Sequence, residues 1–208
     1  MPTRRARLFL FCFLWLLVVA GGLAGLARYE QSAGSIGATP SQWPLSADIS
    51  LDPTRPTLLM FAHPKCPCTR ASMEEFNRLL TQCHEAVTAH VLFFVPENKA
   101  NDWAEGALWK SAKAIPGVVV ETDPEGRKAR LFGAETSGYV VLYSPRGELL
   151  FQGGITAGRG HAGDNTGESA ILSLLASRDT QTRQSRVFGC NLLSPQAPSP
   201  GLTTACTK

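Results

Sequence analysis

The chain has 208 residues, six cysteines and a formal net charge of +3, from 20 basic and 17 acidic side chains. Three arginines near the N-terminus account for this charge. No basic patch therefore suggests nucleic acid, and no acidic tail suggests a basic partner. About 155 residues lie between a polar linker and the C-terminus, enough for one domain with its own core. Such a domain does not need disulfides to fold, so its cysteines are free to have functional roles.

The N-terminal segment predicts a membrane helix. Residues 8–27 carry no charged or strongly polar side chain, and a stretch of that length can cross a bilayer as one helix. Arg4, Arg5 and Arg7 precede it, so the positive-inside rule keeps the N-terminus cytoplasmic and exports the rest. A cleaved signal peptide is the alternative, but its apolar region is normally only about 7 to 15 residues long. We expect an uncleaved anchor over residues 1–28, in a bacterial inner membrane, with a periplasmic C-terminal domain.

Two irregular segments flank the predicted domain, which we assign to residues 53–178. Residues 29–52 are rich in Ser, Gly, Ala and Pro and predict a linker that lifts the domain off the membrane. Residues 179–208 are polar, then rich in Ser and Pro, and predict a partly irregular tail. Cys190 and Cys206 lie in this tail and could pair in an oxidising compartment, a question that the sequence leaves open.

Strand and helix patterns alternate along the domain. The sequence predicts strands over residues 57–62, 87–95, 117–121, 139–143 and 148–151, and helices over 69–83, 101–114, 126–132 and 165–177. The last two strands flank the turn at residues 144–147 and form a hairpin. This order favours a mixed central sheet with helices on both faces.

Two cysteines stand one residue apart where the first strand turns into the first helix. Cys66 and Cys68 flank a proline at this junction. A helix N-terminus favours an anion, so a cysteine there ionises more readily than a free thiol. This placement favours redox or metal chemistry over packing or a static disulfide. We expect Cys66, farther from the helix, to be the more exposed thiol. His63 adjoins the pair, either as a metal ligand or as a residue that shapes the approach to the thiols. Cys83 is assigned to packing.

A glycine-rich loop after the hairpin is predicted to lie beside the cysteines. The second hairpin strand should run parallel to the first strand of the domain, so the C-terminal ends of both reach one edge of the sheet. Residues 153–165 follow that strand and contain Arg159 and His161 among five glycines. A flexible surface loop is the alternative. A cation here would stabilise a thiolate, whereas a neutral imidazole could accept its proton or bind a metal.

The order of elements and the cysteine pair resemble the thioredoxin fold. Residues 123–134 and the hairpin are similar to the corresponding part of membrane-anchored periplasmic thioredoxins of the cytochrome-maturation type and of peroxiredoxins, which carry an insertion like residues 101–121. The run from His63 to Arg70, with residues 153–156 and 159–165, more narrowly resembles a group of bacterial proteins called RedB. The resemblance covers about residues 40–178. It implies a thioredoxin-like sandwich and thiol-disulfide exchange with a protein partner.

The chain departs from the thioredoxin pattern at two places. The usual motif separates its cysteines by two residues; counted from the helix, Cys68 matches the resolving cysteine and Lys65 stands where the nucleophile would be. Cys66 would then attack from a shifted position. The second departure is Gly138, which stands where the family places a cis-proline that shapes the substrate groove and hinders metal capture.

We therefore expect a membrane-anchored, periplasm-facing thiol-disulfide oxidoreductase without a cofactor. Cys66 attacks a partner disulfide, Cys68 resolves the mixed disulfide, and Arg159 and His161 modulate the thiolate. The alternative is a copper-binding or metal-delivery protein, in which Cys66 and Cys68 supply two soft ligands and His161 or His63 a third. A binding module with a structural disulfide is a further possibility. A peroxidase ranks lower, because the peroxidatic motif places Thr or Ser ahead of the reactive cysteine, whereas here the threonine follows the two cysteines.

Overall fold

The structure, a computed structural model, describes residues 4–178 and 180–193. It opens with one long helix, α1 (Arg4–Glu30), whose apolar stretch has a mean hydropathy of 2.4. By length and composition this helix can cross a membrane, although a signal sequence passes the same test. None of its residues is buried against the described part of the chain.

The domain after α1 is built on one five-stranded mixed sheet. The strands are β1 (Thr57–Ala62), β2 (Thr88–Val95), β3 (Val118–Pro124), β4 (Tyr139–Tyr143) and β5 (Leu149–Gly154), in the order β3-β2-β1-β4-β5. β1, β2 and β3 are parallel, and β4 is antiparallel to both β1 and β5. β5 therefore runs parallel to β1, as predicted, and β1 lies in the middle with every residue buried.

Helices cover both faces of the sheet, which confirms the predicted sandwich. They are α2 (Thr69–Cys83), α3 (Ala107–Lys113), α4 (Arg127–Leu131) and α5 (Thr166–Leu175). The side chains of β1 alternate between the faces: Leu58 and Met60 pack on the side of α2, α3 and α5, and Leu59 and Phe61 on the side of α4. One predicted helix is split, since residues 101–104 form a 3-10 turn and α3 begins only after Gly106. Glycine favours the extended backbone found there over a continuous helix.

The α4 face is completed by chain segments without regular structure. α4 has only five residues, so it leaves apolar sheet surface that must be covered by other parts of the chain. Trp43 packs edge-on against Phe132 and Tyr143, with ring centroids 5.0 and 5.3 Å apart, and Val187 and Leu192 are buried on the same face. The segments predicted as linker and tail thus pack on the domain. Residue 206, the other half of the possible Cys190–Cys206 pair, lies outside the described residues.

Candidate functional site

The cysteine loop leaves the sheet at the end of its central strand. After Ala62 the backbone turns through residues 63–68 into α2, with the N–H of Cys66 bonded to the carbonyl of His63 at 3.1 Å and that of Thr69 to the carbonyl of Cys66 at 3.2 Å. Cys68 is the N-cap residue of α2 and already has a helical backbone. Both thiols therefore stand at the N-terminus of a 15-residue helix, where the dipole and the free N–H groups favour an anion.

A third thiol, which the sequence interpretation left in the tail, completes the site. The Sγ atoms of Cys66 and Cys190 are 2.8 Å apart, and the Sγ atoms of Cys66, Cys68 and Cys190 all lie within 4.8 Å of one another. Cys66 is only 2% exposed, whereas Cys68 and Cys190 are partly buried. The expectation that Cys66 is the more exposed thiol is therefore wrong, because the C-terminal segment packs over it.

Ser137, in the loop before β4, hydrogen-bonds both the cysteine loop and the segment that carries Cys190. Its hydroxyl accepts a bond from the N–H of His63 at 2.7 Å and lies 2.6 Å from the hydroxyl of Thr69. Its own N–H donates to the carbonyl of Cys190 at 2.9 Å. A hydrogen bond from the Thr69 hydroxyl to the sulfur of Cys66 acts to lower the pKa of that thiol. Since the Thr69 proton is used there, the Ser137 hydroxyl donates in its contact with Thr69. The loop thus orders hydrogen bonds toward one thiol.

Gly138, the residue at the family's cis-proline position, contributes backbone only. Its φ of +89° lies in the left-handed region, and its N–H donates to the carbonyl of Phe61 at 2.8 Å. A Cβ at this position would lie 2.6 Å from the hydroxyl of Ser72 on α2. Both the conformation and the close approach require glycine here. Gly138 therefore lets the Ser137 loop pack directly beside the first turn of α2.

The three thiols differ in acidity. Burial acts to raise the pKa of Cys66, but hydrogen bonds to its sulfur from Cys190 and Thr69 more than offset burial, and the pKa is lowered from 9.0. Burial, together with the charge of Cys66, raises the pKa of Cys68. Burial and the hydrogen bond to Cys66 raise that of Cys190 to about 12. Of the three thiols, Cys66 is thus the one that loses its proton most readily.

Arg159 lies beside the cysteines, on the predicted loop and at the predicted edge of the sheet. Its charge and a hydrogen bond act to lower the pKa of Cys68, against the burial that raises it. The guanidinium also hydrogen-bonds two backbone carbonyls that are distant in sequence. Nη1 donates to the carbonyl of Gly189 at 2.5 Å, and Nε donates to that of Ser32 at 3.0 Å. Arg159 is therefore the cation of the site and also links the segment after α1 to the C-terminal segment.

Neither candidate histidine joins the thiol cluster. His161 is exposed, and its Nδ1 lies 2.9 Å from the carbonyl of Arg159. The ring of His63 stacks on Phe94 with centroids 5.8 Å apart, and its Nδ1 accepts from the N–H of Lys65 at 3.2 Å. Burial, and then the charge of Lys65, lower the pKa of His63, so the ring favours the neutral form. Within the described ranges, the group of side chains close enough together to hold a metal ion consists of the three cysteines.

A buried pair of carboxyl groups, missed by the sequence interpretation, holds the glycine-rich loop on α2. Glu75 is fully buried and accepts bonds from the N–H of Gly163 at 2.8 Å and from Nδ2 of Asn165 at 3.3 Å. Burial and a hydrogen bond with Glu75 raise the pKa of Glu168 to about 7. The signal for its burial was weak, since Glu75 lies at the margin of the apolar face of the predicted helix, one turn before Leu79.

Comparison with known proteins finds similar structures at low sequence identity. No protein-family model matches the chain, and no curated protein matches it. A hypothetical protein from Sinorhizobium meliloti is 18% identical with a TM-score of 0.55, over 80% of this chain and 96% of its own. An uncharacterised conserved protein from Geobacillus kaustophilus is 15% identical with the same TM-score, over 80% and 94%.

A third similar structure is a secreted Mycobacterium tuberculosis disulfide oxidoreductase homologous to Escherichia coli DsbE. It is 16% identical over 61% of this chain and 84% of its own, with a TM-score of 0.42. The order of the strands and their directions, with helices on both faces of the sheet, confirm the predicted thioredoxin-like fold. At such identities the comparisons concern the fold, and the function has to be argued from the site.

Proposed function

We propose that this chain is a membrane-anchored, periplasm-facing thiol-disulfide oxidoreductase of the RedB type whose nucleophile is Cys66. The observation that carries the proposal is the unequal acidity of the three thiols. Hydrogen bonds from Cys190 and Thr69 favour the Cys66 thiolate, whereas the pKa values of Cys68 and Cys190 are raised. The thiolate is the form that attacks a disulfide. A static disulfide or a packing role would not require one thiol to be more acidic than its neighbours.

The exchange uses groups already placed at the site. The Cys66 thiolate attacks one sulfur of a partner disulfide, whose S–S bond breaks while the second partner sulfur leaves as a thiolate and takes up a proton. A thiol next to Cys66 then loses its proton and attacks the Cys66 sulfur, which releases the partner as a dithiol. The positive charge of Arg159 acts against the burial that raises the pKa of Cys68, so it stabilises the Cys68 thiolate that makes this second attack. The partner gains two electrons and the cysteine pair loses them; the reverse sequence oxidises a partner.

Equilibration of the detergent-solubilised full chain in glutathione buffers tests this proposal. We expect reversible oxidation at a potential above about −300 mV, since structural disulfides lie below that value. We also expect catalysed reduction of a model disulfide peptide. Cys66→Ser should abolish turnover. Cys83→Ser is the matched control, because Cys83 lies on α2 with its thiol bonded to the Leu79 carbonyl at 3.2 Å, a bond that a serine can also make. Full turnover by Cys66→Ser would refute the proposal.

Copper binding is the second candidate, and the third cysteine favours it. Three sulfur atoms within 4.8 Å of one another form a soft donor set of the kind that suits Cu(I). Cys66, Cys68 and Cys190 would hold the ion, and Cys190 takes the place that the sequence interpretation gave to His161 or His63. A copper ion bound there would be the cargo that the protein delivers to an acceptor. The site fits such an ion in donor chemistry and number.

Titration of the reduced chain with Cu(I) against a competing chelator tests the metal alternative. If the alternative holds, Cys190→Ser should weaken binding at least about ten-fold, whereas His161→Ala should leave it unchanged. Equal affinities for wild type and Cys190→Ser would remove the alternative.

A further inference from the structure

The C-terminal segment Val187 to Leu192, here called the strap, is held in place along its whole length. Val187 and Leu192 are buried in the core on the α4 face. The carbonyl of Val187 accepts from the N–H of Gly34 at 2.8 Å, and the N–H of Leu192 donates to the carbonyl of Glu135 at 2.7 Å. Between these anchors Cys190 receives the N–H bond of Ser137. Its position beside Cys66 therefore follows from fixed backbone and does not depend on one flexible side chain.

Gly189 makes this close approach possible. A Cβ at this position would collide with the carbonyl of Ser137, so only glycine allows the strap to lie on the loop before β4. The carbonyl of Gly189 is bound by the guanidinium of Arg159. Gly189 is thus in contact with the loop before β4 and with the glycine-rich loop. The next residue is Cys190, and its sulfur lies 2.8 Å from that of Cys66.

The strap meets the domain as an extended partner chain would. Residues 135–137 and 190–192 exchange main-chain bonds around an antiparallel bridge between Thr136 and Asn191. Main-chain bonds of this kind do not depend on side-chain identity, so an extended segment of another protein can make them too. Main-chain bonds thus present the sulfur of Cys190 to Cys66, as they could present a sulfur on an extended partner segment.

We propose that Cys190 is a third exchanging cysteine and that the oxidised chain carries mainly a Cys66–Cys190 disulfide. The inference rests on the proposed exchange function. In the exchange step Cys190 loses its proton and its sulfur attacks the Cys66 sulfur of a Cys66–Cys68 disulfide. The bond between Cys66 and Cys68 breaks, that between Cys66 and Cys190 forms, and Cys68 leaves as a thiolate that takes up a proton. No electrons are gained or lost overall, so no further oxidant is required.

The same reaction makes Cys190 a resolving residue for a partner. When Cys66 is bound to a partner sulfur, the Cys190 sulfur can attack Cys66 and release the partner thiolate, which takes up the proton. The one-residue spacing closes Cys66–Cys68 as a small strained ring, whereas Cys66–Cys190 closes a long one. The exchange therefore moves the disulfide from the small ring to the large one.

Disulfide mapping of the full chain tests the inference. The starting variant is Cys206→Ser, because trypsin leaves residues 190 and 206 on one peptide, 187–208. The detergent-solubilised chain is equilibrated in glutathione buffer, quenched with acid and N-ethylmaleimide, and digested without reduction. We expect most oxidised chains to yield peptide 66–70 linked to peptide 187–208 through Cys66, with Cys68 alkylated.

A second variant tests the placement of the strap. Gly189→Ala should displace the strap, reduce the Cys66–Cys190 link at least five-fold and leave a Cys66–Cys68 disulfide in its place. Gly106→Ala is the matched control, since Gly106 has open space around it and no positive φ. Oxidised starting-variant chains that carry Cys66–Cys68 with Cys190 alkylated would overturn the inference and leave the exchange function intact. A chain in which none of these cysteines oxidises reversibly would overturn both.

Discussion

Replacing Glu168 with glutamine should remove a pH dependence from the stability of the domain. Glu168, at the start of α5, is 7% exposed and shares a hydrogen bond with the fully buried Glu75. Two carboxyl groups that share a hydrogen bond cannot both ionise without a cost in free energy, so the pair retains a proton. A glutamine keeps the size of the side chain and donates an amide proton to Glu75 at every pH. The substitution therefore mimics the protonated state of the pair.

The sign and size of the effect follow from the raised pKa. In the unfolded chain Glu168 ionises near 4.5, whereas in the folded chain its pKa is about 7. Between these values the folded state binds more protons, so the free energy of unfolding falls as the pH rises and levels off above pH 7. The full shift corresponds to about 3 kcal/mol. Solvent that reaches the outer side of the pair screens part of it, and we expect about 2 kcal/mol.

Urea unfolding of wild type and Glu168→Gln, measured from pH 5 to pH 8.5, isolates this contribution. The difference in free energy of unfolding between variant and wild type should rise by about 2 kcal/mol across the range. Other groups cancel in the difference. These include His63, whose lowered pKa makes the wild type less stable as the pH falls below 6.5. If the difference in free energy of unfolding stays constant with pH, the idea of a shared proton is refuted, however large that difference is.

Three further predictions concern the thiol, the loop and the anchor. Thr69→Val should raise the pKa of Cys66, seen as a shift in the pH titration of the thiolate's ultraviolet absorbance, because it removes one hydrogen bond to the sulfur; an unchanged titration would exclude that bond. Ser137→Ala should lower the free energy of unfolding by about 2 kcal/mol, since the N–H of His63 and the Thr69 hydroxyl lose their partner; a loss under about 0.5 kcal/mol in urea unfolding would contradict this. The expressed chain should stay in the membrane fraction after a carbonate wash and keep Arg4 and Arg5, and a mature chain starting near Ala24 or Arg28 would show cleavage instead.

Local sequence patterns were sufficient to predict the sheet and one edge of the site. Apolar runs bounded by turns predicted the strands, and the hairpin turn at residues 144–147 fixed the direction of β5. That direction placed Arg159 near the cysteines across about 90 residues of sequence. The logic needs only that two parallel strands end at the same edge.

The third cysteine could not be predicted in this way, because its position depends on packing between distant segments. Cys190 is 124 residues from Cys66, and the residues around it have neither helical nor strand periodicity. What places it is the uncovered sheet surface beside the short helix α4, which Val187 and Leu192 fill. The same reason applies to Trp43, which stands alone in a segment rich in small and polar residues. Composition identifies such segments as irregular and is silent on whether they pack.

The contact between Arg159 and the end of α1 sets the height of the reacting thiols above a membrane. The N–H of Arg159 donates to the carbonyl of Glu30 at 3.0 Å, and Glu30 is only three residues, about 5 Å of helix, beyond the last apolar residue, Ala27. If α1 spans a bilayer, the thiols cannot sample the wide volume that a free 24-residue tether would allow. Partners confined to the same membrane then meet them at a high effective concentration, whereas a freely diffusing protein must approach along the lipid surface.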